Sequence, residues 1–298
     1  MATDLAQRYL DSMKHLSYGN ALFEPAPFSR LQPGSLGYLD ELQRWHPILN
    51  LLDSEAVAKA GYSPLGELRP SEPDVRRFGP KLSNKTTETR IDLEAGVGAA
   101  AMGLPVDVTG AFKYSTSSEF GAVLVCENDV VSEGFDLRQP FATWLEENAK
   151  ALFRDYPEIK RLGLYAVSWT YSSTDIHISA WDGQSNDVTV GTKVGFAGAG
   201  NVGPQTSWIR GQSSSGWSEW TDQKRVLFFT GVFMRTNLFG WAQLKMKKSG
   251  LPKGTTRFDV EGEEGEQNFR AFLEPVGDID KAKAGSTDES VSSAPGAL

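Results

Sequence analysis

Three histidines, one cysteine and a few neighbouring carboxylates are the residues through which this chain could do polar chemistry. His15, His46 and His177 each lack a metal-ligating neighbour at i+3 or i+4, and a single cysteine excludes a Cys/His zinc site. No metal and no cofactor is therefore expected. His177 stands within DIHISAW, on the strand face opposite Ile176 and Ile178, where a surface or structural role outweighs catalysis. Cys126 closes an apolar run and reads as an inert buried thiol. Neither a G-x-S-x-G elbow nor a phosphate-binding G-x-x-x-x-G-K-[ST] loop occurs. Residues 198–203 (GAGNVG) match G-x-G-x-x-G after a strand pattern, but Pro204 and QTSWIRG follow. No helix N-terminus opens there to hold a pyrophosphate, so a glycine-rich hairpin tip is expected instead. Asp92 with Glu94, and Glu219 near Asp222, could serve glycoside chemistry only if they flanked a cleft; on a wetted strand they solubilise. Trp208, Trp217, Trp220 and Trp241 could stack on sugars or sit at a membrane interface, with core packing the plainer expectation. No catalytic residue is assigned, and the chain is not expected to be an enzyme.

Composition narrows the setting. The 298 residues carry a net charge of −8 and a pI near 5.1, against nucleic acid as a partner. No apolar run approaches the length of a transmembrane helix. The first residues, MATDLAQRYLDSMKHL, lack the basic-then-apolar order of a secretory signal. With the lone cysteine, this predicts a cytoplasmic protein.

The elements that must position any site follow from periodicity. Residues 3–16 predict a helix, with Leu5, Tyr9, Met13 and Leu16 on one face. Residues 17–86 are broken by Pro25, Pro27, Pro33 and Pro47 into short extended pieces, and 66–86 read as a polar surface loop. Asn84-Lys85-Thr86 matches a glycosylation sequon by chance. Residues 91–100 and 106–115 alternate apolar with small or polar residues and predict a long hairpin. Residues 187–196 repeat that pattern in a second one. Val108 and Val190 lie mid-strand on the apolar faces, and Thr109 and Thr189 point to the opposite, watery face. FGAVLVC at 120–126 predicts a strand buried on both faces. Pro140 opens a helix over 140–154 that buries Phe141, Trp144, Leu145, Leu152 and Phe153. Strands follow over Tyr165–Tyr171, Ile176–Ala180 and Arg225–Met234.

Together these give an α+β fold: a twisted, mostly antiparallel β-sheet with long amphipathic hairpins and a few packed helices. Residues 1–245 form the body. Residues 246–298 form a short acidic tail, largely disordered, with ten acidic against four basic residues from Arg257 onward. FRAFLEP at 269–275 stands out in it as a short docking segment.

The order of elements, with RIDLEAGVGAAAMGLPVDVTGAFKY, PFATWLEENAKALFRDYP, GLYAVSWTYS and DVTVGTKVGFAGAG, resembles the pore-forming domain of gasdermins. It is most similar to the small gasdermin-like proteins of filamentous fungi, over about residues 5–245. The resemblance is one of pattern and order, carried by no short diagnostic motif. It implies a soluble protein of regulated cell death. On activation by a protease or partner protein, such a protein moves to the cell membrane and self-oligomerises through its hairpins into a barrel. Two departures stand beside it: too few residues follow the body for a separate inhibitory domain, and the body itself is acidic.

A membrane-crossing strand needs about 9–11 tilted residues with alternating faces. On that basis the candidate inserting residues of the first hairpin are Ile91, Leu93, Val97, Val106, Val108 and Phe112. Those of the second are Val188, Val190, Val194 and Phe196. Lys245, Lys247 and Lys248 are the candidate contacts to anionic lipid headgroups. The alternation equally describes a sheet wetted on one side. A non-enzymatic β-sandwich that binds a ligand, or an accessory protein of small-molecule metabolism with a Trp-rich pocket, therefore stays open.

Overall fold

The computed structural model describes residues 2–91, 98–105, 107–183, 186–196, 204–237, 253–260 and 269–277. Its strands assemble into three antiparallel sheets, with five α-helices among the described residues.

The largest sheet is built on two long partners, β10 (Leu164–Ser173) and β15 (Arg225–Asn237). Each shares its other edge between two strands. β1 (Asn20–Pro27) pairs with the first half of β15, and β17 (Phe269–Val276) with the second. β2 (Ser35–Leu39) pairs with the start of β10, and β9 (Val130–Gly134) with its end. β3 (Trp45–Asn50), β4 (Asp74–Arg76) and β16 (Thr256–Val260) close the edges. The second sheet runs β14 (Ser218–Trp220), β11 (Ile176–Asp182), β8 (Phe120–Cys126), β5 (Lys81–Leu82). The third runs β13 (Pro204–Ser213), β12 (Asp187–Phe196), β7 (Gly110–Thr116), β6 (Thr86–Ile91).

The second sheet is the middle layer, which explains the unbroken apolar run of β8. Its even positions, Ala122, Leu124 and Cys126, pack with Tyr9, Met13, Trp169 and Phe228. Its odd positions, Val123 and Val125, pack with Trp181 of β11 and with Tyr114, Val188 and Val190 of the outer layer. Helix α1 (Ala2–Met13) docks through Tyr9, Leu10 and Met13, and a 3-10 turn (Lys14–Leu16) ends it. Helix α2 (Ser54–Lys59), capped by the Asp53 side chain on the Ala56 N–H, buries Val57. Helix α4 (Gln139–Asp155) lies on the large sheet and buries Phe141, Trp144, Leu145, Leu152 and Phe153, as its period requires. Its Trp144 Nε1 donates to the Ser63 carbonyl at 2.6 Å. Short α5 (Ile159–Leu162) turns the chain into β10.

Four expectations need correction. Residues 91–100 do not form one strand: β6 ends at Ile91, and Gly98–Ala101 is a short helix, α3. Alanine is the strongest helix former and lacks the branched side chain that favours strands, so period-two alternation of Ala and Gly is a weak β signal. The second strand of that hairpin begins at Gly110 rather than at residue 106.

The tail is not wholly detached from the body. β16 and β17 belong to the large sheet, with Ala271 and Leu273 buried in its core. FRAFLEP docks as a full strand because its alternate apolar positions fill the space beside β15. Residues 261–268 and 278–298 lie outside the described residues.

Residues 66–86 are not simply a polar loop, since they contain β4, β5, the start of β6 and the buried Phe78 and Lys81. The Lys81 ammonium lies 4.7 Å from the Phe78 ring centroid, a cation–π contact that helps offset its burial. Finally, Thr189 is not on a watery face, being only 7% exposed, whereas Thr109 is exposed. The segment carrying α3 covers that side of the outer sheet.

Candidate functional site

The outer sheet is made of two hairpins joined by their inner strands. β6–β7 is one and β12–β13 the other, and β7 pairs with β12 from Asp187↔Ser115 to Thr192↔Gly110. Two segments far apart in sequence thus lie side by side. β12 and β13 run ten residues each.

Register assigns the two faces. Phe112, Tyr114, Val188, Val190, Trp208 and Arg210 face the middle sheet, because Val190 pairs with both Phe112 and Arg210. Val188 and Val190 are fully buried there, and Phe112 packs on Trp208 with ring centroids 5.7 Å apart. Ala111, Thr189 and Gly191 occupy the other face, Ala111 and Gly191 under Ala99 and Leu104 of the α3 segment. That segment is tied down by the Gln212 N–H donating to the Met102 carbonyl at 2.9 Å and the Thr109 hydroxyl donating to the Thr192 carbonyl at 3.1 Å.

Ion pairs tie the two hairpins together: Lys113 to Asp187 and Lys193 to Asp107, each at 2.6 Å. The hydrogen bond from Lys193 holds the Asp107 carboxyl below its ordinary range. The Tyr114 hydroxyl, raised by burial and by its bond to Glu88, stays protonated and donates to that carboxylate at 2.9 Å.

Ile91 and Val108 are half-buried beside α3. Val194 and Phe196 take register positions opposite Thr206 and Pro204 on β13. Leu93, Val97, Val106, the glycine-rich 198–203 segment, and Lys245, Lys247 and Lys248 lie outside the described residues, as do Asp92, Glu94 and Trp241. The structure therefore brings together Ile91, Val108, Phe112, Val188 and Val190, although on different faces: Ile91 and Val108 belong to the covered side.

The tryptophans pack rather than line a groove. Trp208 and Trp217 join the apolar contact between the outer and middle sheets, and Trp220, paired with Ile176, packs against the core on the other face of the middle sheet.

One polar cluster was not legible in the sequence. His177, wholly buried on β11, places Nε2 2.7 Å from Asp175 Oδ1, 3.5 Å from Glu127 Oε1 and 3.3 Å from Arg210 Nη1. Arg210 also forks onto Glu219, Nε to Oε1 at 3.0 Å and Nη2 to Oε2 at 3.1 Å. Glu127, Asp175 and His177 bring ligand atoms within 4.8 Å of one another, a spacing that could hold a divalent ion. The Arg210 guanidinium already stands among them, however. His177 Nδ1 also lacks the partner that orients a metal-binding imidazole. The arrangement suits an ion-pair clamp between hairpin and body. Only the pairing of β11 with β14 and of β12 with β13 brings its members together, so no local spacing could reveal it.

The remaining histidines are structural: His15 Nδ1 lies 2.9 Å from the Ser12 carbonyl, and His46 Nε2 lies 3.0 Å from Asp40. Burial pushes the Cys126 thiol up to about 12, which removes the thiolate that reactive chemistry needs.

No protein-family model matches the chain, and no curated protein matches it. Among solved structures it is similar to a bacterial gasdermin from Bradyrhizobium tropiciagri. The identity is 10%, over 77% of this chain and 86% of that one, with a TM-score of 0.29. A likeness that loose decides neither fold nor function. No described helix is long and apolar enough to cross a membrane, which leaves strands untouched by the statement.

Proposed function

We propose that this chain is a gasdermin-like pore-forming protein of regulated cell death, soluble in the cytoplasm until activated. Activation frees the outer sheet, which inserts into the cell membrane and oligomerises into a β-barrel. One observation carries the reading: two amphipathic hairpins, distant in sequence, already pair into one four-stranded sheet whose edges, β6 and β13, have no further strand partner among the described residues. Each copy would contribute those four strands, and edge-to-edge pairing of β13 with β6 of the next copy would close a ring and leave no strand edge unpaired.

The dimensions fit. β12 and β13 have the length of a bilayer-crossing strand. β6 and β7 are shorter, and the stretch between Ile91 and Gly110 is the reserve that would extend them. In the barrel, the Val188–Val190–Phe112 face meets lipid and the Thr189–Gly191–Lys113 face lines the lumen. In the resting protein the first face is covered by the middle sheet, and the second by the α3 segment at Ala111 and Gly191 but not at Lys113. Anionic lipids, a second copy of the chain and an activating protease or partner are the partners this implies. No catalytic residue or cofactor enters.

The sandwich alternative would need a ligand cavity between the outer and middle sheets. Tyr114, Trp181 and the valines fill that space, which favours the pore.

The test is dye release from anionic liposomes by the full chain and by a chain ending at Gly277. Release at micromolar protein, with ring-shaped oligomers by microscopy, is expected. Well-folded protein of both lengths that never releases dye, together with a polarity probe at position 190 that never reports lipid, would overturn the reading.

A further inference from the structure

We propose that Arg210 is the pin that holds the second hairpin against the body, and that breaking it frees β12 and β13 together. The role of this pin in insertion rests on the pore reading; the pin itself does not.

Arg210 lies on β13, an edge strand whose one sheet neighbour among the described residues is β12. Its side chain shares the face of Val190 and reaches two separate parts of the body. The guanidinium forks onto Glu219 of β14 at 3.0 and 3.1 Å, the bidentate geometry in which arginine binds carboxylate best. Nη1 also donates to Glu127 at 3.4 Å, as does the backbone N–H of the same residue. Glu127 itself is held in place, because Arg77 donates to its carbonyl and pairs with Asp129 at 2.8 Å. The next residue of β13 is gripped as well: Trp217 Nε1 donates to the Gly211 carbonyl at 2.8 Å. The Ser179–Ser213 contact of 2.7 Å is the further polar tie from the middle sheet to this strand.

The electrostatics make the contact cooperative. Glu127 and Glu219 converge on one guanidinium, and Asp175 meets the buried His177 beside it. With Arg210 gone, those acidic groups face one another with no cation between them. With the glutamates neutralised, Arg210 is left against the imidazole. Either change removes an attraction and leaves an unbalanced group, so either should loosen the same hairpin. On the apolar side, β13 offers Trp208 as its large contact to the middle sheet. The polar pin therefore carries a disproportionate share of the hold on β13.

The experiment is hydrogen exchange by mass spectrometry, run beside liposome dye release. It compares wild type, Arg210→Ala, Arg210→Lys and the double variant Glu127→Gln/Glu219→Gln. Amides of residues 187–196 and 204–213 should exchange about tenfold faster or more in Arg210→Ala and in the double variant, while β10 and β15 stay protected as in wild type. Arg210→Lys keeps the charge but not the fork and should fall between. Dye release should quicken in the same order. Unchanged exchange in the hairpin would overturn the pin, as would exchange that rises equally in β10 and β15. A freed hairpin with wild type leaking just as fast would overturn its role in restraining insertion. A freed hairpin with no leakage from any variant would sustain the pin and sink the pore reading instead.

Discussion

Leu104 lies so close over Gly191 that a β-carbon on the glycine would stand 2.7 Å from the leucine Cδ2. Gly211, on the neighbouring strand, is covered by the same side chain, with 3.0 Å between its would-be β-carbon and Cδ2. The α3 segment is thus seated in a notch that only glycine leaves open. Gly191→Ala should therefore unseat the segment and cost about 1–3 kcal/mol. Leu104→Ala should cost about 2–5 kcal/mol by itself, and the double variant should be far less damaging than the sum. Denaturant melts of the four proteins would check this; strict additivity would mean that the notch does not hold the segment.

Leu145 sits fully buried on α4 between the helix and the large sheet. Leu145→Ala should cost roughly 2–5 kcal/mol. A variant that melts like wild type would place the helix at the periphery.

Legibility followed the physics of each signal. The face of α4 was readable because a 3.6-residue period over seventeen residues has no rival explanation. β8 was readable because seven consecutive apolar residues must be covered on both sides. Residues 98–101 were misread because the alternation that starts at Ile91 was extended into Gly-Ala-Ala-Ala, a stretch with no branched side chain to favour a strand. β16 and β17 were hidden by the acidic residues around them; alternation within FRAFLEP was the usable signal. The burial of Thr189 could not be seen, since alternation alone does not show that the face beside Ala111 and Gly191 is packed on. The Arg210 cluster joins three strands and two turns and has no local signature.

Asp40 should make the protein's acid stability measurable at one residue. Burial would raise its carboxyl, but the Arg44 backbone N–H, the His46 side chain and the Arg44 guanidinium outweigh it and bring it down to about 2. A depressed carboxyl stabilises the fold above its unfolded value near pH 4, and that contribution is lost as pH falls through 2. Because the cluster is partly open to solvent, the contribution at pH 7 is about 1–2 kcal/mol. Asp40→Asn should be destabilised by that amount at pH 7 and should converge on wild type between pH 4 and 2. A gap that stays constant with pH would contradict the pairing.

β17 should be indispensable where the rest of the tail is not. A chain ending at Lys253 loses Val260, Ala271 and Leu273 from the core and bares the edge of β15 at residues 231–237. It should lose at least ~4 kcal/mol, on the order of 10 °C in Tm. A chain ending at Lys283 removes residues too polar to bury apolar surface and should melt like the full protein. Calorimetry on the two truncations decides it, and an activating cut that preserves the body would then have to fall beyond Val276.

The two faces of the outer sheet give the sharpest functional contrast. Val190 is fully buried against the middle sheet at rest and faces lipid in the proposed barrel. A carboxylate there costs about 2–4 kcal/mol at mid-membrane, repeated in every subunit, so Val190→Asp should abolish leakage. The same change weakens the resting contact, so lost leakage needs a partner experiment on the opposite face. Thr189 cannot serve, because it is itself buried. Lys113 can: it lies opposite Thr189, its side chain is 48% exposed, and its bond to Asp187 is a surface ion pair worth about 0–1 kcal/mol. Lys113→Glu should fold almost as stably as wild type, still release dye, and shift single-channel selectivity toward cations, because the ring of charge lining the lumen changes sign. A Lys113→Glu channel with unchanged selectivity, or a Val190→Asp protein that leaks like wild type, would mean that the faces have been assigned the wrong way round or that no barrel forms.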